Sequence, residues 1–130
     1  MRQKVSDYIA EYIAQWGIRD VFTVTGGGAM HMNDAFGHHP NLHCTYQHHE
    51  QACAMAAEAY ARMDNRMAAV CVTTGPGATN AITGVLGGWM DSIPMLVFSG
   101  QARYATTVAA SGLPLRSMGV QECNIVPVVS

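Results

Sequence analysis

The feature that most constrains the fold is a nearly continuous apolar run at residues 67–74, MAAVCVTT, which ends at Gly-Pro-Gly. A strand without polar alternation is typical of a parallel sheet that is buried on both faces. A second run, MLVFSG, occupies residues 95–100, and residues 78–90 between the two runs form a predicted helix. Since parallel strands need a crossover, the pattern predicts an α/β fold with helices on both faces of a parallel sheet.

The first half of the chain repeats this alternation. Predicted helices occupy residues 5–16, 29–36 and 50–63, and predicted strands occupy residues 20–25 and 43–46. The apolar faces of the two longer helices consist of Val5, Tyr8, Ile9, Tyr12, Ile13 and Trp16, and of Ala52, Met55, Ala56, Ala59, Tyr60 and Met63. Close packing against another backbone is indicated for the later helix by Gly84, Gly87 and Gly88.

The composition is typical of one domain within a larger assembly. Apolar residues make up 49% of the 130 residues and charged residues only 12%, whereas an average soluble domain has about 25% charged residues. After Gly100 the pattern loosens into a long connection at residues 101–120, and the chain closes on a strand-like run, IVPVVS. We therefore expect a single domain over residues 1–130, incomplete at its C-terminus, that is a fragment or a split part of a longer enzyme.

Charge, hydropathy and cysteine usage argue against several classes of partner. The net charge is −2 with no basic stripe, so nucleic acid is not expected to bind. No stretch approaches the roughly 20 apolar residues that cross a bilayer, so no membrane association is expected. The four cysteines form no CxxC pair, and we interpret them as free thiols in a reducing cytoplasm.

Two strand-to-helix turns carry glycine, at Gly26-Gly27-Gly28 and at Gly75-Pro76-Gly77. Neither fits the dinucleotide fingerprint GxGxxG, because His31 and Asn80 stand where that motif has its third glycine, and a P-loop motif is absent from the sequence. Proline in the second turn removes one N–H and builds a rigid apolar ledge, which suits a flat heteroaromatic ring better than a phosphate. Ordinary turn glycines are the alternative interpretation.

Five histidines lie within residues 38–49, beside Cys44 and Glu50. Adjacent histidines in a strand point to opposite faces and do not easily bind one ion, and no CxxC pair is present, so we predict no metal on these residues. A polar loop near an active site is favoured instead, in which His49 or His48 takes part in proton transfer.

Glu50 opens the predicted helix 50–63, and its position allows two interpretations. An acid at a helix N-terminus complements the helix dipole, which is a purely structural role. The surrounding sequence favours a catalytic role. HEQACAMAAEAYAR at residues 49–62 and TTGPGATNAITGVLGGWMDSIPMLVFSGQ at residues 73–101 closely resemble the signature stretches of acetolactate-synthase-like thiamine-diphosphate enzymes, as does VFTVTGGGAMHMNDAF at residues 21–36 more loosely.

The resemblance spans essentially the whole chain and implies a role for each matching residue. Glu50 matches the glutamate that hydrogen-bonds N1′ of the cofactor's aminopyrimidine ring and favours the imino tautomer that activates the thiazolium C2. The implied cofactor-binding residues are Thr25, Gly26, Gly27, Glu50, Thr74, Pro76 and Asn80. Gln121 matches a glutamine on the substrate side, so Glu50, Gln121 and His49 are the candidate catalytic residues.

Two departures from the family pattern bear on the substrate. Thr25 stands where the family often has proline before two glycines, and Val120 stands where an aromatic residue commonly precedes the glutamine. The form VTGGGAMHMND resembles a branch that adds an acetyl unit from pyruvate to a nucleotide-linked ketosugar, as an alternative to plain acetolactate synthesis.

The resemblance also implies a three-domain subunit whose last domain binds the diphosphate and Mg²⁺. The GDG-to-Asn motif of that domain is absent from this sequence, so we expect the cofactor to lie against another subunit in a homodimer or homotetramer, and this chain by itself to be inactive. A non-catalytic module that keeps the same fold to bind a partner subunit is the competing interpretation.

Overall fold

The protein is described by a computed structural model that covers residues 2–130. The helices are α1 (Val5–Gln15), α2 (Met30–His38), α3 (Glu50–Asp64), α4 (Pro76–Met90), α5 (Val108–Ser111) and α6 (Val126–Val129), and the strands are β1 (Asp20–Thr23), β2 (His43–Tyr46), β3 (Ala68–Val72) and β4 (Met95–Ser99). Short 3₁₀ turns lie at Gly27–Ala29 and Tyr104–Thr106. Each predicted helix and strand up to residue 100 is present, with ends that shift by at most two residues.

The four strands form one parallel sheet in the order β2-β1-β3-β4. In the register, Val21 lies opposite Ala69, and Val70 lies opposite Val97. Every residue of β3 is buried, as the continuous apolar run predicts for a central parallel strand. The predicted α/β fold with a parallel sheet is confirmed.

Helices cover both faces of the sheet, as predicted. Because side chains alternate along a strand, Ala69 and Cys71 of β3 point into a core with α1 and α2, where Phe36 is the largest fully buried side chain. Val70 and Val72 point to the other face, where they pack against α3 and α4. The sheet therefore separates two hydrophobic cores.

The packing of α3 against α4 depends on Gly84. A Cβ atom built on Gly84 would lie 2.5 Å from the Ala54 Cβ and 2.8 Å from the Met55 backbone nitrogen. This confirms the close backbone approach predicted there, whereas Gly87 has nothing within 4 Å and does not serve that purpose. At Gly88 the nearest neighbour is the flexible end of the Met95 side chain rather than a backbone.

The predicted apolar faces of the two longer helices are wrong in detail. In α3 the buried residues are Cys53, Ala54, Ala57 and Ala61. Met55 and Met63 are instead 44% and 85% exposed. An alanine-rich helix has apolar side chains on most of its circumference, so periodicity alone does not select the buried side.

In α1 the larger aromatic side chains are likewise on the outside. Ala10 and Ile13 face the core, whereas Tyr8, Tyr12 and Trp16 are exposed and contact one another along the helix. The stacked Tyr8 and Tyr12 rings have centroids 5.8 Å apart.

The end of the chain also differs from prediction. Residues 125–130, expected as a strand-like run, contain the short helix α6 with Pro127 in its first turn. Proline has the φ of a helix and lacks the N–H that a strand would use, so it favours the first turn of a helix. Within residues 2–130, no helix is long and apolar enough to cross a bilayer.

Candidate functional site

The predicted site residues gather at the carboxyl edge of the sheet, where all four parallel strands end. β1 leads into the glycines of the first turn, β2 leads to Glu50, and β4 leads into Gln101. β3 leads into residues 73–77, which we call the glycine turn. This edge is where open parallel α/β sheets bind their ligands.

Glu50 is held between the first turns of α3 and α4. Its side chain is half-buried, and Asn80 of α4 donates a hydrogen bond from Nδ2 to Glu50 Oε2 over 3.0 Å. The other carboxyl oxygen, Oε1, lies above Gly77, where a Cβ atom would be 3.5 Å away. One oxygen is thus oriented by the protein, while the other faces a position without a side chain.

The glycine turn needs its glycines for close approach. A Cβ on Gly77 would lie 2.7 Å from the Thr73 Cγ2, and a Cβ on Gly26 of the first turn would lie 2.5 Å from the Thr73 Cβ. Gly75 adopts φ +57° and ψ −112°, and a Cβ there would collide with the carbonyl oxygen of Gln121. Both turns therefore bring backbone segments together, and Gly75 in addition has a backbone conformation that favours glycine.

A cleft of about 410 Å³ opens beside the glycine turn. It is lined by Gly27, Gly28, Thr74, Gln101, Ala102, Arg103, Thr106, Val120 and Gln121. Thr74 Oγ1 donates to Gln101 Oε1 at 2.7 Å, and Gln101 Nε2 donates to the Cys123 carbonyl at 2.7 Å. A chain of hydrogen bonds thus connects the end of β3 to the segment that carries Gln121.

Gln101 is the site residue that sequence reasoning missed. It ends the motif at residues 73–101, but the family resemblance gave it no role. The available signal was its position two residues after strand β4, at the carboxyl edge of a parallel sheet. Glu122 was also missed, because its importance depends on hydrogen bonds within a loop that has no periodicity.

Gln121 lies in the wall of the cleft, and its substrate-side role stays a prediction. Its backbone has a left-handed conformation with φ +55°, which is uncommon for a residue other than glycine. Its carbonyl oxygen is 3.4 Å from the Thr74 hydroxyl.

His49 caps α3. Its Nδ1 accepts a hydrogen bond from the Gln51 backbone N–H at 3.1 Å, and the side chain is exposed. Nδ1 is therefore engaged in the cap, so proton transfer, which stays a prediction, would involve Nε2. Three other histidines of this stretch lie beside carboxylates: His38 beside Asp34, His39 beside Glu11, and His43 beside Asp20. His48 is exposed, and its part in proton transfer likewise stays a prediction.

The structure brings the predicted residues together in two neighbouring groups. Glu50 and Asn80 form the first, and Gly27, Thr74 and Gln121 line the cleft as the second. The glycine turn contacts both groups. Pro76, exposed at the start of α4, belongs to this turn. Gly26 packs against Thr73, and Thr25 is exposed directly before the first turn. Among the described residues, no three His, Cys, Asp or Glu side chains are grouped so that they could hold a metal ion.

The cysteine thiols near the site are poor nucleophiles. Burial raises the pKa of Cys53 to about 11, with a further contribution from the charge of Glu50. Burial likewise raises the pKa of Cys71 to about 12. Since the thiolate is the reactive form, these residues act as small core side chains.

Comparisons of the sequence with known proteins place the chain in a family. Residues 3–127 match the family model described as thiamine pyrophosphate enzyme, N-terminal TPP binding domain. The chain is 34% identical over 127 residues to acetolactate synthase 2, chloroplastic, of Zea mays, which covers 98% of this chain and 18% of that protein. It is 36% identical over 121 residues to the acetolactate synthase large subunit of Buchnera aphidicola subsp. Schizaphis graminum, covering 93% and 20%.

A third relative, the acetolactate synthase large subunit of Lactococcus lactis, is 35% identical over 96 residues, covering 74% of this chain and 17% of that protein. The chain thus spans at most a fifth of the length of these relatives. The three relatives named here are acetolactate synthases. With a matching family model over nearly all of its residues, the chain belongs to the family of N-terminal TPP-binding domains of thiamine pyrophosphate enzymes.

Proposed function

We propose that this chain forms the aminopyrimidine side of a thiamine-diphosphate site in a carboligase that decarboxylates a 2-keto acid such as pyruvate. The single observation that carries the proposal is the Glu50 carboxyl group, fixed by Asn80 at one oxygen and directed over Gly77 with the other. Membership of the family supports the cofactor, and the acetolactate synthases among the relatives support the reaction class.

The residues of the site fit a flat, nitrogen-containing ring. The Asn80 amide holds Glu50 Oε2, so Oε1 is the atom that would exchange a proton with a ring nitrogen. Gly77 leaves room next to that oxygen, because any larger residue would place its Cβ against both Thr73 and the carboxyl group. Pro76 makes the neighbouring surface rigid and apolar, as a ring requires.

Thiamine diphosphate, when bound, supplies the nucleophilic carbon and the electron sink that decarboxylation needs. The residues of this chain position the cofactor and the substrate and control the transfer of a proton. Glu50 holds a proton at Oε1, Asn80 orients the carboxyl group, and Gln121 presents its amide group to a substrate in the cleft. Gln101 supports the cleft wall through its hydrogen bonds to Thr74 and to the Cys123 carbonyl. Each of these roles can be tested by a single substitution.

The rest of the site is proposed to come from another subunit. We place the diphosphate and Mg²⁺ on a separate domain of a three-domain enzyme that assembles as a homodimer or homotetramer in the cytoplasm. The exposed apolar side chains of α3 and α4, which include Met63 and the 77% exposed Trp89, support burial of this face by a partner domain.

The first experiment is calorimetric titration of thiamine diphosphate with Mg²⁺ into this chain, alone and with a separately produced diphosphate-binding half. We expect binding only when both halves are present. Absence of binding in both cases would favour the competing function, a non-catalytic module that binds a partner subunit.

The second experiment measures turnover of the complete enzyme. We expect Glu50→Gln to lower kcat by about 10²-fold or more, since positioned proton transfer contributes on that order. Glu58→Gln is the matched control, because Glu58 lies two turns further along α3 and its carboxylate binds Arg62. Full activity of Glu50→Gln would exclude the catalytic role.

Product analysis distinguishes between the two candidate acceptor substrates. We propose pyruvate as the donor, with a second pyruvate as the acceptor or, by the form of residues 24–34, a nucleotide-linked ketosugar. Acetolactate from pyruvate alone would exclude the ketosugar, and a product that needs the added ketosugar would establish it.

A further inference from the structure

We propose that Glu122 is a positioning residue that organises the wall of the cleft so that Gln121 faces the substrate. The substrate side of this inference rests on the proposed function, whereas the structural side concerns only residues 101–124, which we call the cleft loop. Three sets of contacts in the structure lead to it.

The first set of contacts is made by the Glu122 carboxylate, which binds backbone N–H groups from two separate parts of the cleft loop. Val108 N–H donates to Oε1 at 2.7 Å, and Met118 and Gly119 N–H donate to Oε2 at 2.9 and 3.0 Å. Hydrogen bonds to an ionised acceptor are stronger than neutral ones. One side chain therefore joins the start of α5 to the segment that immediately precedes Val120 and Gln121.

The second set concerns Gln121 itself, whose backbone conformation needs external support. A left-handed residue other than glycine persists only where its surroundings enforce it. On one side of Gln121 the Thr74 hydroxyl lies 3.4 Å from its carbonyl oxygen, and on the other Gln101 Nε2 donates to the Cys123 carbonyl at 2.7 Å. Glu122 lies between Gln121 and Cys123, whose carbonyl oxygens make these two contacts. Its side chain binds the part of the cleft loop that the two contacts do not reach, at Val108 and at residues 118–119.

The third set of contacts joins residues 118–119, which the Glu122 carboxylate binds, to the wall of the cleft. A Cβ on Gly119 would lie 2.5 Å from the Ala102 Cβ and 3.0 Å from the Thr106 carbonyl oxygen, so this part of the loop is packed tightly. Ala102 and Thr106 both line the cleft, as do Val120 and Gln121. Loss of the Glu122 contacts would therefore release the outer wall of the cleft while leaving the sheet and the Glu50–Asn80 pair in place.

The structural part is tested by amide hydrogen exchange on this chain. Glu122→Gln keeps the size of the side chain but removes the charge and replaces one acceptor oxygen with a donor. We expect exchange at Val108, Met118 and Gly119 to accelerate about tenfold or more. Glu11→Gln, an exposed change on α1, is the matched control and should leave these amides unchanged. If these three amides exchange equally slowly in Glu122→Gln and in the original chain, the proposed role of the Glu122 carboxylate in holding the cleft loop is overturned.

The positioning part is tested by a double-mutant cycle on the complete enzyme. If Glu122 acts through Gln121, Glu122→Gln lowers kcat/KM for the 2-keto acid about tenfold when Gln121 is present and less than twofold in a Gln121→Ala background. A merely structural role predicts the same loss in both backgrounds, and that outcome would overturn the proposal. Far-UV circular dichroism confirms that each variant is folded.

These outcomes are distinguishable from failure of the proposed function. If Gln121→Ala leaves kcat/KM unchanged, the positioning role of Glu122 is refuted, while the catalytic role of Glu50 is untouched. If Glu50→Gln is fully active, the proposed function fails, but the cycle between Gln121 and Glu122 still reports whether they are coupled.

Discussion

Replacement of Gly84 by alanine tests how packing between α3 and α4 sets the geometry around Glu50. Gly84 and Asn80 are one turn apart on α4, and their contacts on α3, Ala54 and Glu50, are also one turn apart. The close approach at Gly84 and the hydrogen bond at Asn80 are therefore neighbouring contacts of the same helix pair. A methyl group added at Gly84 pushes against the helix whose first residue is Glu50.

The size of the effect follows from the distances. The new Cβ would lie 2.5 Å from the Ala54 Cβ, whereas carbon atoms in contact are about 3.5–4.0 Å apart. The helices must separate locally by about 1 Å, and overpacking of this kind costs about 1–3 kcal/mol. Alanine regains about 1 kcal/mol over glycine through helix propensity. The net change for Gly84→Ala is thus about 0–2 kcal/mol of destabilisation.

Gly87→Ala is the matched control on the same helix. Nothing lies within 4 Å of a Cβ at Gly87, so this variant receives only the propensity gain of about 1 kcal/mol. The two variants should differ by the overpacking cost of about 1–3 kcal/mol in urea unfolding. With about 4 °C per kcal/mol for a chain of this size, that corresponds to about 4–12 °C in Tm. Equal stabilisation by both substitutions would refute the close-approach argument.

The same variant reports on the candidate site. A local separation of about 1 Å would stretch the 3.0 Å bond from Asn80 to Glu50 beyond hydrogen-bond length. We therefore expect Gly84→Ala to lower the activity of the complete enzyme, whereas Gly87→Ala should retain it. Full activity in a destabilised Gly84→Ala variant would mean that the pair adjusts independently of the helix contact.

Three further measurements test the core, the thiols and the response to acid. Phe36→Ala should lower the free energy of unfolding in urea by about 3–5 kcal/mol, because the ring is 1% exposed and packs against Phe98; a loss below about 1 kcal/mol would contradict that burial. At pH 8 iodoacetamide should spare Cys71 in the folded chain and modify it in urea, as followed by mass spectrometry, since burial raises its pKa to about 12. Backbone N–H groups, led by that of Gly119, lower the pKa of Glu122 from 4.5. The stability added by that carboxylate is present above about pH 4.5 and is lost as the pH falls through the lowered pKa of Glu122. The free energy of unfolding of Glu122→Gln should therefore fall less between pH 6 and pH 3 than that of the original chain.

Much of the fold could be predicted because it is encoded in short, local patterns. The apolar run at residues 67–74 predicted a fully buried strand, and β3 is buried at every position. Strand β2 was predicted with its exact bounds from four residues between turn signals. The motif around Glu50 located the candidate acid at the start of a helix, and the structure places it there.

The errors fall where several patterns were equally compatible with the sequence. The residues at 125–130 are apolar enough for a strand, but Pro127 lies in the first turn of a helix. The alanine-rich helix α3 offered apolar side chains all around, and the predicted face proved to be the one that carries the exposed Met55 and Met63. In α3 the local sequence did not distinguish the alternatives, whereas at residues 125–130 the strand prediction overlooked the preference of proline for the first turn of a helix.

The sequence by itself determined the order of strands and helices, the burial of the central strand and the position of Glu50 at a helix start. Only the tertiary structure decided the sheet order, the buried side of α3, and the pairing of Glu50 with Asn80 and of Glu122 with the cleft-loop amides. The physical reason is the sequence separation over which each kind of interaction acts. Periodicity and turn chemistry act over a few residues. A hydrogen bond between residues 30 apart depends instead on how closely two helices approach, and that distance is set by the packing of α3 and α4 against each other and against the sheet.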